Sequence, residues 1–386
     1  MNVKTSVKGL ALSMLSDFSY SIGLESETAR KRSQLGNTLL TLTVCGFIAA
    51  VAYADSKVDE ISLGYLYILP IALSGLINRL PTSILFVVVS VILHDIFGPP
   101  HALGERIVLN IMASLAFTVV ALLTNRMGKE REAMSNIIRR QHAELEKEIH
   151  LASRVQQRLL PSEAPQFPGI EVACGITYLK EMGGDYYDFI EINNDECGIA
   201  IADVSGKGTA AAIVMPAIEA ALRMEALNSQ DVGQGLQNLN KVICEVTENA
   251  RFVTLFYGLL RFSTKTLEFI NAGHNPPFLY SQKTGRSEWL DAVGPPVGLF
   301  AGAAYASKIL QLELGDILVL YTDGLSEAED SQGDIFSKSR IAKTTIENAS
   351  RSAQEIFDRL MSDVVEFSGY QNFEDDLTLI VIKLVS

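Results

Sequence analysis

"EMGGDYYDFIEI", residues 181–192, is the stretch whose reading decides the fold. Two adjacent glycines followed by an acid suit two unrelated sites. One is a hairpin turn whose backbone closes on a nucleotide; the other is a strand start that presents a carboxylate to a metal ion. The run from Tyr187 to Ile192 reads as a strand, so Asp185 stands at a strand's beginning under either reading. The acids elsewhere in the chain have to choose between them.

Three further motifs place acids at strand ends: "ADVSGKG" (202–208) with Asp203, "YTDG" (321–324) with Asp323, and "EDDLT" (374–378) with Asp375 and Asp376. Asp188 follows Asp185 in the opening stretch and is a candidate to hold a metal-bound water. Acids at strand ends of one sheet sandwich can converge on a single rim, where they would repel strongly unless cations neutralise them. Oxygen donors without histidine or thiolate favour Mg²⁺ or Mn²⁺ over zinc. A pair of such ions about 3.5–4 Å apart can acidify a water and clamp an in-line phosphoryl displacement. Gly206 and Gly208 allow a tight turn with exposed amides before an alanine-rich helix, a natural phosphate cradle, with Lys207 either steering the phosphate or merely solvated. The turn is not a Walker A loop, because the required first glycine is Ile201 and Lys207 precedes Gly208. His274, in "NAGHNPP" (271–277), reads as a hydrogen-bonding structural residue before it reads as a catalytic acid.

Charge divides the chain. Residues 1–160 carry a net +3 and residues 161–386 a net −16, within an overall −13. The C-terminal part is therefore a poor partner for nucleic acid and a good one for divalent cations. Cys45, Cys174, Cys197 and Cys244 have neither metal-ligand spacing nor a disulfide rhythm, and read as buried, reduced thiols. Met1 to Tyr20 lacks the apolar core of a secretory signal.

Four stretches carry no formal charge: Ser33–Ala54, Ile61–Asn78, Leu80–His94 and Ile107–Asn125. Membrane helices need about 20 mainly apolar residues, so an all-α, four-helix transmembrane domain is expected over 33–126, after a cytoplasmic segment 1–32. Arg30, Lys31 and Arg32, Arg79, and Arg126, Lys129 and Arg131 flank the ends that would face the cytoplasm. Asp55, Lys57, Asp59, Glu60, His101, Glu105 and Arg106 occupy the opposite loops, which have no basic excess. Both termini then lie inside a multi-pass inner membrane, with His94 and Asp95 marking an interface.

Residues 127–160 read as a helical coiled-coil linker. Ile138, His142, Leu145, Ile149, Ala152, Gln156 and Leu159 step by fours and threes, a seam for a weak parallel homodimer. Pro161, Pro165 and Pro168 end it. Beyond them, strand patterns fit 170–178, 187–192, 197–202, 252–262, 267–272, 278–282, 309–314, 317–322 and 377–384, and helical patterns fit 210–227, 232–248 and 353–367. Tight turns between strands favour an α+β domain with largely antiparallel sheets over 161–386.

The ordered motifs "ASRVQQRLLP", "GGDYYDF", "ADVSGKGTAAAIVM", "FVTLFYGLL", "NAGHNPP", "PPVGLF", "YTDGLSEA" and "EDDLTLIVIKL" resemble the SpoIIE branch of the metal-dependent type 2C protein serine/threonine phosphatases, from about Glu148 to Val385. That resemblance implies a layered α-β-β-α sandwich and two Mn²⁺ or Mg²⁺ ions. It implies that catalytic Asp203 bridges the ions and the Val204 carbonyl joins it. Asp185, also catalytic, would supply a further carboxylate together with Asp323 and Asp375. Asp375 is favoured over Asp376, which becomes an outer candidate beside Asp188. Eukaryotic relatives hold phosphate with an arginine shortly before the first acid; here "TYLKEM" (177–182) offers only Lys180. The implied substrate is a phosphorylated, STAS-type anti-sigma-factor antagonist. "LYILPIALSGL" (66–76) is similar to four-helix membrane sensor modules ahead of bacterial signalling outputs. The alternatives are a diguanylate cyclase, for which the roughly 20 residues between Pro165 and Gly183 leave no room for a substrate-binding half, and an inactive signalling scaffold.

Overall fold

Alternation with period two runs through the C-terminal strands, and in the computed structural model both faces of the central ones are covered. The structure describes residues 38–39, 41–57, 63–77, 80–97, 102–229, 231–247, 251–369 and 375–385. The segment 1–32 with its basic cluster Arg30–Arg32, and Asp59, Glu60, Arg79 and His101, lie outside the described residues. The chain divides into two units, up to Ala143 and from Glu144 onward.

The first unit holds α1 (Thr41–Asp55), a 3₁₀ turn (Gly64–Tyr67) leading into α2 (Ile68–Ile77), α3 (Leu80–Phe97) and the first part of α4 (Leu103–Gln157). Val44, Ile48, Val51, Tyr67, Ile71, Val87, Phe117 and Ala121 form a small core. Leu85, Ile92, Met112 and Leu115 stay exposed. Among the described residues, α3 and the apolar half of α4 are long and apolar enough to cross a membrane, while Thr41–Asp55 and Gly64–Leu76 are shorter. Buried Asp55 accepts from the Leu63 amide at 2.8 Å and meets His94 Nδ1 at 3.3 Å. Asp95 is held by Arg106 Nε at 2.7 Å and Asn110 at 2.6 Å.

The second unit carries ten strands: β1 (Ile170–Thr177), β2 (Tyr186–Asn193), β3 (Glu196–Val204), β4 (Val253–Arg261), β5 (Thr266–Ala272), β6 (Phe278–Ser281), β7 (Ser287–Trp289), β8 (Lys308–Gln311), β9 (Asp316–Tyr321) and β10 (Leu377–Leu384). They form two five-stranded sheets, ordered β1-β10-β9-β6-β7 and β2-β3-β4-β5-β8, with every strand pair antiparallel. The helices are α5 (Thr209–Asn228), α6 (Val232–Thr247), the single turn α7 (Asp323–Ser326), α8 (Ser337–Glu347) and α9 (Ala353–Phe367). Strand β10 explains the layering. Leu377, Leu379 and Val381 face a core shared with Ile356, Leu360 and Val364 of α9, while Ile380, Ile382 and Leu384 face the core between the sheets with Ile199 and Ile201. Helices α5 and α6 cover the other sheet through Met215, Ile218, Leu236 and Ile243. The result is an α-β-β-α sandwich. Ser352 caps α9, accepting from the Glu355 amide while Glu355 returns a bond to the Ser352 amide.

Two expectations need correction. Helix α4 ends at Gln157, and Gln156, assigned to the dimer seam, is 2% exposed because it packs against its own domain. Cys45 is exposed rather than buried, although Cys197 and Cys244 are buried and all four thiols are free.

Candidate active site

Antiparallel pairing sets the start of each strand beside the end of its neighbour. Asp185 immediately precedes β2, and Asp203 and Val204 close β3, its antiparallel partner. Asp323 follows β9 by two residues, while Asp375 and Asp376 precede β10, again an antiparallel neighbour. One rim therefore collects acids from both sheets.

Asp185 is 1% exposed. Its Oδ2 accepts from Thr322 Oγ1 at 2.7 Å and Thr378 Oγ1 at 2.5 Å, both from the opposite sheet. One carboxylate oxygen is thereby anchored by two hydroxyls. Burial and the Asp203 charge push the Asp185 carboxyl well up, against the two threonine hydroxyls. Asp203 is pushed up to about 7 by burial and then by Asp323, Asp375 and Asp376, with Lys207 opposing. Burial, Asp375 and Glu327 raise Asp323. These are the energetics of carboxylates that are buried first and crowded second, with Lys207 as a nearby opposing charge. Among the described residues the acids do not close into a ready-made cage. All-oxygen donors with elevated proton affinity fit a hard divalent cation, whose charge would reverse the repulsion.

Adjacent acids have opposite fates. Asp376 Oδ1 accepts from the Leu179 amide and Oδ2 from the Gly184 amide, both at 2.9 Å, so it brackets the 179–184 loop. Asp375 is part-exposed and meets Lys207 Nζ at 2.8 Å. Asp188 does not face the cluster. It is fully buried beneath α5, taking Arg223 Nη2 at 2.8 Å and Tyr186 Oη at 2.8 Å. An acid three residues after Asp185 on an extended strand points to the other face, so the expected water-holding role of Asp188 is withdrawn in favour of a structural ion pair.

The glycines are required by contact. A Cβ at Gly183 would lie 2.0 Å from Asp376 Oδ2, and one at Gly184 would lie 3.1 Å from the Val204 carbonyl oxygen. Gly206 and Gly208 have φ of +94° and +78°, which side chains resist. Lys180 Nζ lies 3.9 Å from the Cβ position of Gly208, so both candidate lysines border the turn. Arg251 carries no motif that marks it in the sequence. Its Nη1 donates to the Ser205 carbonyl at 2.7 Å and presses on Gly206. Thr322 and Thr378 were missed too, since threonine in a β run signals only a strand.

His274 is 3% exposed and its imidazole is held neutral, burial pushing it down to about 4. Nδ1 lies 2.9 Å from Thr254 Oγ1, a structural bond as expected. Linker residue Gln156 was read as a seam position. Instead its Nε2 donates to the Gly183 carbonyl at 2.7 Å, and its Oε1 accepts from the Gly183 amide at 3.4 Å. Ser153 hydrogen-bonds the Glu181 carbonyl beside it. The last turns of α4 thus grip the loop that carries Asp185.

Comparison with known proteins agrees with this geometry. Residues 193–385 match the family model described as stage II sporulation protein E (SpoIIE). Phosphoserine phosphatase RsbU of Bacillus subtilis is 31% identical over 275 residues, covering 71% of this chain and 80% of RsbU. Phosphoserine phosphatase RsbP of the same organism is 26% identical, covering 47% of this chain and 45% of RsbP. The SiaA-PP2C domain of Pseudomonas aeruginosa superposes with a TM-score of 0.55 at 20% identity, covering 63% of this chain and 98% of that domain. The chain belongs to the SpoIIE family of PP2C-type protein serine/threonine phosphatases.

Proposed function

We propose that this phosphatase is anchored in the cytoplasmic membrane by four helices and uses two Mn²⁺ or Mg²⁺ ions to hydrolyse phosphoserine or phosphothreonine on a STAS-type anti-sigma-factor antagonist. The observation that carries the metal assignment is the gathering of Asp185, Asp203, Asp323 and Asp375 on one rim, with Asp203 raised to about 7. Those four carboxylates and the Val204 carbonyl are the proposed ligands. Bound divalent ions supply an acidified water and neutralise charge on the phosphoryl group. The protein's own part is positioning. Thr322 and Thr378 aim Asp185, and Asp376 fixes the loop before it. Lys207, Lys180 and the amides at Gly206 and Gly208 offer positive charge to the substrate phosphate, with Arg251 beside them.

The proposed input runs through α4. Its exposed face, including Ile138 and Leu145, supports pairing with a second copy, while Gln156 and Ser153 hold the Asp185 loop. Tightening or rotating the helix then biases that loop between competent and incompetent positions. Exposed apolar side chains on α3 and α4 support the membrane anchor.

The full chain in mild detergent should hydrolyse p-nitrophenyl phosphate only with Mn²⁺ or Mg²⁺, and Asp203→Ala should abolish this. Metal-independent turnover would refute the proposed centre. Replacing Leu145 and Ile149 with Asp should change the rate; an unchanged rate would refute control through the linker.

A further inference from the structure

The chain crosses from one sheet to the other on the active-site rim through the loop 273–277, between β5 and β6. Two consecutive side chains of that loop reach in opposite directions. His274 Nδ1 meets Thr254 Oγ1 at 2.9 Å, and Thr254 is the cross-strand partner of Asp203, its Oγ1 3.5 Å from the Asp203 carbonyl. Asn275 Nδ2 donates to Ser326 Oγ at 3.3 Å, and Ser326 Oγ donates to the Asp323 carbonyl at 3.4 Å. One link ends at the acid from β3, the other at the acid after β9.

The loop itself is immobilised. Asn271 Oδ1 accepts the His274 amide at 2.8 Å, and Asn271 Nδ2 ties the same corner to the Leu290 carbonyl at 2.9 Å. Gly273 sits at φ +73°, where a Cβ would stand 2.7 Å from the Pro296 ring. Two prolines, Pro276 and Pro277, follow Asn275. The buried Nε2 of His274 has no hydrogen-bond partner among the described residues, and the Tyr321 backbone, two residues before Asp323, borders the ring. A histidine kept only for packing would give a buried position to an apolar residue at lower cost. Here a polar ring is retained between the two acid-bearing strand ends.

We propose that His274 and Asn275 are positioning residues, a brace that sets the spacing between Asp203 and Asp323 and thereby the affinity of the site for divalent cations. This rests on the reading of those two acids as metal ligands. Neither side chain touches the reacting atoms; both act through the backbone that carries Asp203 and Asp323.

The test is calorimetric titration of Mn²⁺ into the full chain in detergent, with the thermal midpoint in EDTA recorded for each variant. Asn275→Ala should weaken Mn²⁺ binding about 10-fold or more, the usual cost of losing a group that orients a ligand, with the EDTA midpoint unchanged. His274→Gln should do the same, whereas His274→Asn, whose amide falls near the Nδ1 position, should restore most of the affinity. Equal affinity in Asn275→Ala, His274→Gln and the native protein would overturn the brace. Asp203→Asn serves as the reference. If it binds Mn²⁺ as the native chain does, the metal assignment has failed; if it alone loses binding, the brace has failed and the assignment stands.

Discussion

Metal binding at this rim should be strongly pH-dependent, with a sign that follows from the metal-free fold. Asp203 holds its proton up to about 7, because of burial and the neighbouring acids Asp323, Asp375 and Asp376. A cation must displace that proton. At pH 6 about one carboxyl in eleven is ionised and at pH 8 about ten in eleven, so Mn²⁺ affinity should rise about 10-fold across this interval from Asp203 alone. Asp185, raised by burial and by Asp203, steepens the dependence further. Near pH 7, binding should release about half a proton from Asp203. The same shift has a stability consequence. A carboxyl raised in the fold above its unfolded value of about 3.9 stabilises the metal-free protein only while protonated, so that contribution is lost as pH climbs from about 4 to about 7, at most about 4 kcal/mol before solvent screening. Titration calorimetry of the full chain at pH 6, 7 and 8, in buffers of different ionisation enthalpy, reads affinity and proton release together. A flat affinity with no released proton would refute the claim that these acids are gathered against their own repulsion.

Three other outcomes follow from single contacts. Asp376→Ala removes the acceptor of the Leu179 and Gly184 amides. Each orphaned amide should cost about 1–3 kcal/mol in urea unfolding, and metal-dependent turnover should fall with the loosened Asp185 loop. Arg223→Met leaves Asp188 buried without its cation, which should cost about 3–5 kcal/mol yet leave kcat of the folded enzyme unchanged; a collapsed kcat would return Asp188 to the site. Thr322→Val or Thr378→Val deletes a hydroxyl that favours ionised Asp185. The acidic limb of the kcat/KM profile should therefore move to higher pH, and an unmoved limb would show that Asp185 is not held as described.

Much of the second unit was legible because its strands alternate apolar faces between flanking turns. The β10 run "LTLIVIKL" is buried throughout, and its pattern announced a central strand. The misses have physical causes. Strand β7 has only three residues, Ser287 to Trp289, too short to show a period. Helix α8, "SKSRIAKTTIE", buries Thr344 and Thr345 beside Ile341, so its inner face does not read as apolar. The acids were all visible as motifs, and the resemblance favoured Asp375 over Asp376, but the partners of each side chain were not visible. Asp375 and Asp376 are identical in the sequence and differ only in which way successive residues point. Gln156 looked like an adjustable seam position because a polar residue on a heptad is ambiguous until its partner is known, and its partner is the Gly183 backbone.

Acids drawn from two sheets have no local element to fix their spacing, so the spacing is a property of the ties between sheets. Asp185, on one sheet, is held by threonines on the other. Asp376, on the second sheet, holds the loop that precedes Asp185 on the first. Each tie is one or two hydrogen bonds, worth about 1.5–3 kcal/mol when a charged group takes part, and it works against the burial and crowding of the acids. A cation on the proposed ligands would add to those ties, so small displacements of them should alter its affinity. Gln156 grips that same loop from α4, so under the proposed control a displacement of α4 would reach the Asp185 loop through those few bonds.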